Sequence, residues 1–189
     1  MSKSEKEKML SGEYYFADDQ VLTAERDHAR NLTFEFNNTK PGEKGKRWEI
    51  LKRLINAKGS FVIEPPFYCD YGYNITVGEN FYANYGCIIL DVNKVIIGDN
   101  VLLGPNVQIY TAMHPTDPIE RLTGKENSEP VTVGNNVWIG GGAIICPGVR
   151  VGDNVTIGAG SVVTKDLPGN VIAAGNPCRV IKSIQNMRH

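Results

Sequence analysis

The chain has 189 residues, with 20 lysines and arginines against 21 aspartates and glutamates and a formal net charge of −1. That balance leaves no basic footprint for a nucleic acid and no polybasic patch for a membrane surface. No apolar run approaches the roughly 18 residues that a spanning helix needs. The charged start, Met1-Ser-Lys-Ser-Glu-Lys-Glu-Lys8, leads into no apolar segment, so no secretory leader and a cytoplasmic protein are expected. Cys69, Cys87, Cys146 and Cys178 are far apart and form no CxxC pair. They read as reduced thiols, some of them small core residues, and not as metal ligands.

Residues 1–60 show few signs of a repeat and are rich in Lys, Glu, Arg and Ala. Ala24–Leu32 is a candidate helix. Trp48, Leu51, Leu54 and Ile55 recur at helical spacing, with Lys46, Arg47, Lys52 and Arg53 on other faces. This segment is expected to cap the fold or to shape a substrate site.

Residues 61–180 follow another rule. The hexads VGENFY at Val77, IGDNVL at Ile97 and LGPNVQ at Leu103 share an aliphatic first position and a turn-forming middle. From Val133 the hexads run unbroken, with first positions Val133, Ile139, Ile145, Val151, Ile157 and Val163. Their fifth positions are Val137, Ala143, Val149, Val155, Ser161 and Leu167, all apolar or small. An α-helix would repeat at 3.6 and would not tolerate so much glycine. A period of six suits a short strand and a corner, where Gly, Asn or Asp accepts positive φ. Three such units close a triangular coil, and aliphatic first positions then stack along its axis about 4.8 Å apart. The expected fold is a parallel β-helix.

Two interruptions stand out. Between Ile89 and Ile97 the register slips by two residues, which calls for a bulge or loop near Asp91–Lys94. Tyr110–Glu129 lacks the hexad, yet the chain returns in phase at Val133, so residues 110–132 read as an excursion. Long loops in compact folds are often functional. This one holds His114, the only histidine of the repeat region. Residues 181–189 form a tail, with a short capping helix expected over Val180–Met187.

Several segments together resemble one family: Met9-Leu-Ser-Gly-Glu-Tyr14, Tyr68–Tyr73 (YCDYGY), Asn80–Asn84, Met113-His-Pro115, Gly134–Gly140 and Ala173–Arg179. They resemble the maltose and galactoside O-acetyltransferase branch of the hexapeptide acyltransferases, over roughly residues 9–182. The resemblance implies a left-handed β-helix, a homotrimer with active sites between subunits, acetyl-CoA as co-substrate and no metal. It implies a small sugar as acceptor, with no nucleic-acid or membrane partner.

A sugar hydroxyl is a poor nucleophile, whereas a thioester is an activated acyl donor. Direct transfer therefore needs a general base, an oxyanion donor and positioning. His114 is the candidate base, since imidazole titrates near neutrality. Asp91, Glu126 or a backbone carbonyl would orient it. The resemblance places the oxyanion N–H at Gly141 and acceptor contacts at Asn84, Asp91, Asp70 and Arg26, with a further carboxylate at Asp18 or Asp19. It places coenzyme A contacts at Ala159, Thr164, Lys165, Arg179 and Lys182, where cations would meet phosphates. Trp138 either walls the same channel or packs between subunits. The galactoside enzymes read Asp-Asp where this chain reads Asp91-Val92, and Asp70 replaces a serine, so galactoside specificity is not carried over. An antibiotic, an amino acid or a lipooligosaccharide is an alternative acceptor. A γ-type carbonic anhydrase would need three zinc-binding histidines, and His28 and His189 lie outside the repeat. A non-catalytic trimeric scaffold would leave His114 and the Lys165/Arg179 pair without a use.

Overall fold

A computed structural model describes residues 2–184. The hexads wind a three-faced prism of parallel strands. The first face stacks five strands from Asn56–Ala57 to Arg150–Val151, and the third stacks five from Phe67–Cys69 to Val162–Val163. The second face holds seven strands, beginning at Phe61–Ile63. The prism thus begins at Asn56, slightly before the expected boundary at residue 61. The stacking confirms the hexad register: Leu103, Ile139 and Ile157 lie above one another, as do Ile97, Val133 and Val151 and, on the third face, Ile109, Ile145 and Val163. All six first positions from Val133 are buried, and Ile139, Ile145 and Val163 have no exposed surface at all.

The corner between the first and second faces shows why asparagine recurs. Asn80, Asn100, Asn136, Asn154 and Asn170 all adopt φ between 56° and 60°. Each of the first four donates its side-chain amide to the next Asn Oδ1, over 2.9–3.1 Å. Asparagine tolerates this left-handed conformation and also joins the ladder, which glycine cannot do. Asn136→Ala loses two ladder bonds and strains the turn, so unfolding in urea should reveal a loss of about 1–2 kcal/mol. Asn136→Gly, which relieves the strain, should lose less.

Three helices precede the prism. Helix α1 (Glu5–Ser11) opens on a Ser4/Glu7 capping box and closes on Gly12 at φ 77°. Helix α2 (Gln20–Asn37) is longer than the expected Ala24–Leu32 because Asp19 caps it, its Oδ1 accepting the Val21 and Leu22 N–H groups. Helix α3 (Lys44–Leu54) buries Ile50, Leu51 and Leu54, while Trp48 stays exposed. Leu32, Phe36, Leu51 and Leu54 join the core of the first coils. The helices therefore close the apolar mouth of the prism, as a solenoid requires.

The other end differs from expectation. Arg179–Ser183 is not a helix but a strand, antiparallel to Val171–Ala174 at the edge of the second face. The β-branched Val180 and Ile181 suit a strand, and the edge of the last coil offers unpaired backbone groups that a helix would leave unpaired. The rest of the expected helix, beyond Ile184, lies outside the described residues.

Candidate active site

The corner between the third and first faces departs from the hexad. From Cys69 to Val77, and again from Ile89 to Ile97, the chain spends eight residues where a hexad spends six. The extra residues form the loop Asp70–Asn74 and, one coil further on, the stretch Asp91–Lys94. Asp91 has no exposed surface. Its Oδ1 accepts the backbone N–H groups of Asp70 and Tyr71 at 3.0 and 2.9 Å, and its Oδ2 that of Asn74 at 3.3 Å. Burial, reinforced by the nearby Asp70 charge, pushes the Asp91 carboxyl up to about 7, although the backbone donors pull the other way. Asp91 thus lies beneath the site and ties its loop together.

Above it, Asp70 is half-buried, and burial raises its carboxyl while Arg26 and Arg30 partly offset that. Arg26 reaches over from α2. Its Nη1 donates to the Tyr71 hydroxyl at 2.7 Å, and its Nη2 to the Ala17 carbonyl at 2.5 Å. The predicted acceptor contact therefore has both terminal nitrogens on the protein's own oxygens. Asp19 serves as the α2 cap, and Asp18 is exposed.

The excursion is structured. Ala112–Met113 and Lys125–Ser128 pair antiparallel, and the short helix α4 (Pro118–Arg121) sits at the tip. Met113 lies opposite Asn127. The exposed His114 follows directly, just past the last paired residue of that strand. A third strand, Tyr15–Phe16, flanks Lys125–Ser128 and sets Tyr15 opposite Glu126, with the Tyr15 hydroxyl donating to Glu126 Oε2 at 2.9 Å. His114, Glu126, Asp70, Asp91 and Arg26 are thus gathered at one edge of the prism. Tyr15 and Tyr71 belong to the same cluster and were not singled out in the sequence. Tyr15 lies 111 residues from its partner, and no spacing rule connects them.

The remaining predicted residues lie elsewhere. Asn84, Gly141 and Ala159 occupy the corner between the second and third faces, with the level of Gly104 between Asn84 and Gly141 and with Ala159 one level past Gly141. Asn84 Oδ1 accepts the Tyr85 N–H at 2.8 Å. Among the described residues the Gly141 N–H has no acceptor. A Cβ on Gly104 would sit 2.5 Å from that nitrogen, so glycine keeps the space beside it clear. Thr164 and Lys165 are exposed just past the third-face strand Val162–Val163. Arg179 and Lys182 project from the last strand. Among the described residues none of these three cations is in an ion pair. Asn84, Gly141 and Ala159 thus stand across the third face from Asp70 and Asp91, whereas Thr164 and Lys165 lie on the same side as those two, in a later coil.

Aliphatic hexads wound into a prism, with one histidine-bearing excursion, define the hexapeptide-repeat transferases, and comparison with known families agrees. Residues 130–165 match the bacterial transferase hexapeptide (six repeats), residues 94–109 the hexapeptide repeat of succinyl-transferase, and residues 8–59 the maltose acetyltransferase hexapeptide capping motif. The chain is 44% identical to the galactoside O-acetyltransferase of Escherichia coli, over 95% of this chain and 89% of that one. It is 50% identical to nodulation protein L of Rhizobium meliloti, over 95% and 99% of the two chains. The solved structure of a maltose O-acetyltransferase from Clostridium difficile superposes with a TM-score of 0.97 at 58% identity, covering 98% and 100% of the two chains. A galactoside acetyltransferase solved in complex with coenzyme A gives a TM-score of 0.95 at 44% identity, over 98% and 93%. The chain belongs to the maltose and galactoside O-acetyltransferase family of left-handed parallel β-helices, and it is an acyltransferase.

Proposed function

We propose that the chain transfers the acetyl group of acetyl-CoA to a hydroxyl of a small sugar, with His114 as general base. The observation that carries this reading is the placement of His114, next to Met113, on the same hairpin as Glu126, whose strand pairs with Tyr15 beside Tyr71 of the Asp70 loop. Among the described residues neither Asp70 nor Glu126 is in an ion pair. The cluster thus offers carboxylate oxygens that need donors, and a polyol supplies donors in quantity.

The chemistry follows from positions. His114 takes the proton of the attacking hydroxyl as its oxygen bonds to the thioester carbonyl carbon. Glu126 orients the imidazole, while Asp91 acts indirectly by fixing Asp70 and Tyr71. The Gly141 N–H receives the developing oxyanion. Collapse of the tetrahedral adduct releases the coenzyme A thiolate, which recovers the proton from the imidazolium. Asn84 and Gly141 stand across the third face from His114, so we assign them to the half-site of a neighbouring copy in a homotrimer. The exposed Val62, Leu102 and Trp138 on the second face and Tyr68 on the third supply apolar surface for that contact. Ala159, Thr164, Lys165, Arg179 and Lys182 line the path of coenzyme A, and Gly104 beside the bare Gly141 N–H lets its arm approach closely. Arg26 acts on the acceptor through the Tyr71 hydroxyl. We place the enzyme in the cytoplasm; no described helix is long and apolar enough to cross a membrane.

The test is thiol release from acetyl-CoA against maltose, glucose, galactosides, serine and chloramphenicol. Turnover with one or more sugars, well above that with serine and chloramphenicol, is expected. Turnover with serine or chloramphenicol alone would sink the sugar reading, and absence of acetyl-CoA binding would sink the whole. Sedimentation should give three times the 20.8 kDa chain mass. A catalytically active monomer would overturn the shared-site assignment.

A further inference from the structure

The Tyr15 hydroxyl donates to Glu126, on the hairpin strand paired with the one that leads into His114, and nothing in the transfer chemistry above uses that bond. We propose that Tyr15 is a positioning residue, holding Glu126 and its strand where His114 needs them. This rests on the reading of His114 as base.

The catalytic hairpin is short, two residues on one strand and four on the other. Such a hairpin is marginal alone. The strand Tyr15–Phe16 gives it a third member, and that strand is anchored outside the excursion. Glu5 accepts the Phe16 N–H at 2.6 Å, and the Ser128 hydroxyl donates to the Met9 carbonyl at 2.7 Å. The N-terminal segment therefore braces the hairpin along the edge opposite Ala112–Met113. Tyr15 has no exposed surface, and its ring packs in a small cluster with Met9, Leu22, Tyr71 and Val92. A buried phenol is fixed in direction by that packing, so its one O–H···O bond fixes Glu126 as well. Burial and the adjacent carboxylate hold the phenol far above its ordinary ionisation range, so it remains a donor at any working pH. A tyrosine needed only for packing would not require its hydroxyl aimed at this carboxylate.

Tyr15→Phe keeps the ring and deletes the bond. Turnover number should fall about tenfold, the scale of a lost hydrogen bond to a charged group, with KM for acetyl-CoA within about twofold of the parent. Glu126→Ala removes the acceptor of the same bond, and the double variant should be no slower than Glu126→Ala alone. A purely structural role would lower the unfolding temperature without splitting kcat from KM. An unchanged kcat in Tyr15→Phe, or losses that multiply in the double variant, would overturn the proposal. An active His114→Ala would instead overturn the reading on which it rests, so the two failures are told apart.

Discussion

His114→Ala is expected to lose about 10² to 10⁴ in turnover while KM for acetyl-CoA changes little, the loss typical of deleting a general base. The split follows from geometry. His114 sits on the excursion, whereas the groups assigned to the acyl donor lie on the lower coils and the last strand. Removing an exposed imidazole on a hairpin leaves no core cavity, so thermal unfolding should not shift. Residual activity would come from the oxyanion N–H and from holding the two substrates together. Steady-state kinetics with acetyl-CoA and the best sugar acceptor check this directly. Turnover equal to the parent's would remove His114 from the mechanism.

Asp91→Ala should damage both stability and activity. It strips the acceptor from three backbone N–H groups in a corner with no exposed surface around the carboxylate. Unsatisfied buried donors cost about 1–3 kcal/mol each, and water entering the small void recovers part of that. A net loss of roughly 2–4 kcal/mol is expected in urea unfolding. The loop of Asp70 and Tyr71 would loosen, and with it the contact from Arg26, so kcat/KM for the acceptor should fall more than for acetyl-CoA. Asp91→Asn keeps an oxygen for Asp70 and Tyr71 but turns an amide donor toward the Asn74 N–H, so it should lie between parent and alanine. The pH dependence adds a signature. A carboxyl that titrates near 7 when folded and near its ordinary 3.8 when unfolded is held more tightly as the acid by the folded chain. Its contribution is then most favourable below about pH 4, falls as pH rises toward 7, and is constant above. Unfolding midpoints measured from pH 4 to 8 should slope down across that window in the parent, and less so in Asp91→Asn. An identical slope in both would show that Asp91 does not titrate there.

The prism was legible because its information is local and repeated. An aliphatic residue at the first position of each hexad faces the axis whichever coil it belongs to, so counting along the chain already states the register. The slip between Ile89 and Ile97 was legible for the same reason, and it marked the corner where Asp70 and Asp91 lie. The C-terminal strand was not legible. Val180 and Ile181 are compatible with either a short helix or a strand, and the choice was made by an open sheet edge that exists only once the last coil is built.

The sequence by itself determined the repeat, the excursion that interrupts it, and the single histidine that excursion carries. Only the tertiary structure decided which residues come together on that side of the prism. Tyr15, Arg26, Asp70 and Glu126 come from four distant stretches of chain, joined by side-chain hydrogen bonds and cross-strand pairs that leave no periodic trace. It also decided that Asp91 ties together the loop above it, since three backbone donors meet both of its buried oxygens. The same reason separates Asn84 and Gly141 from His114. A hexad says which way a side chain points, but the distance between two corners is a property of the closed coil.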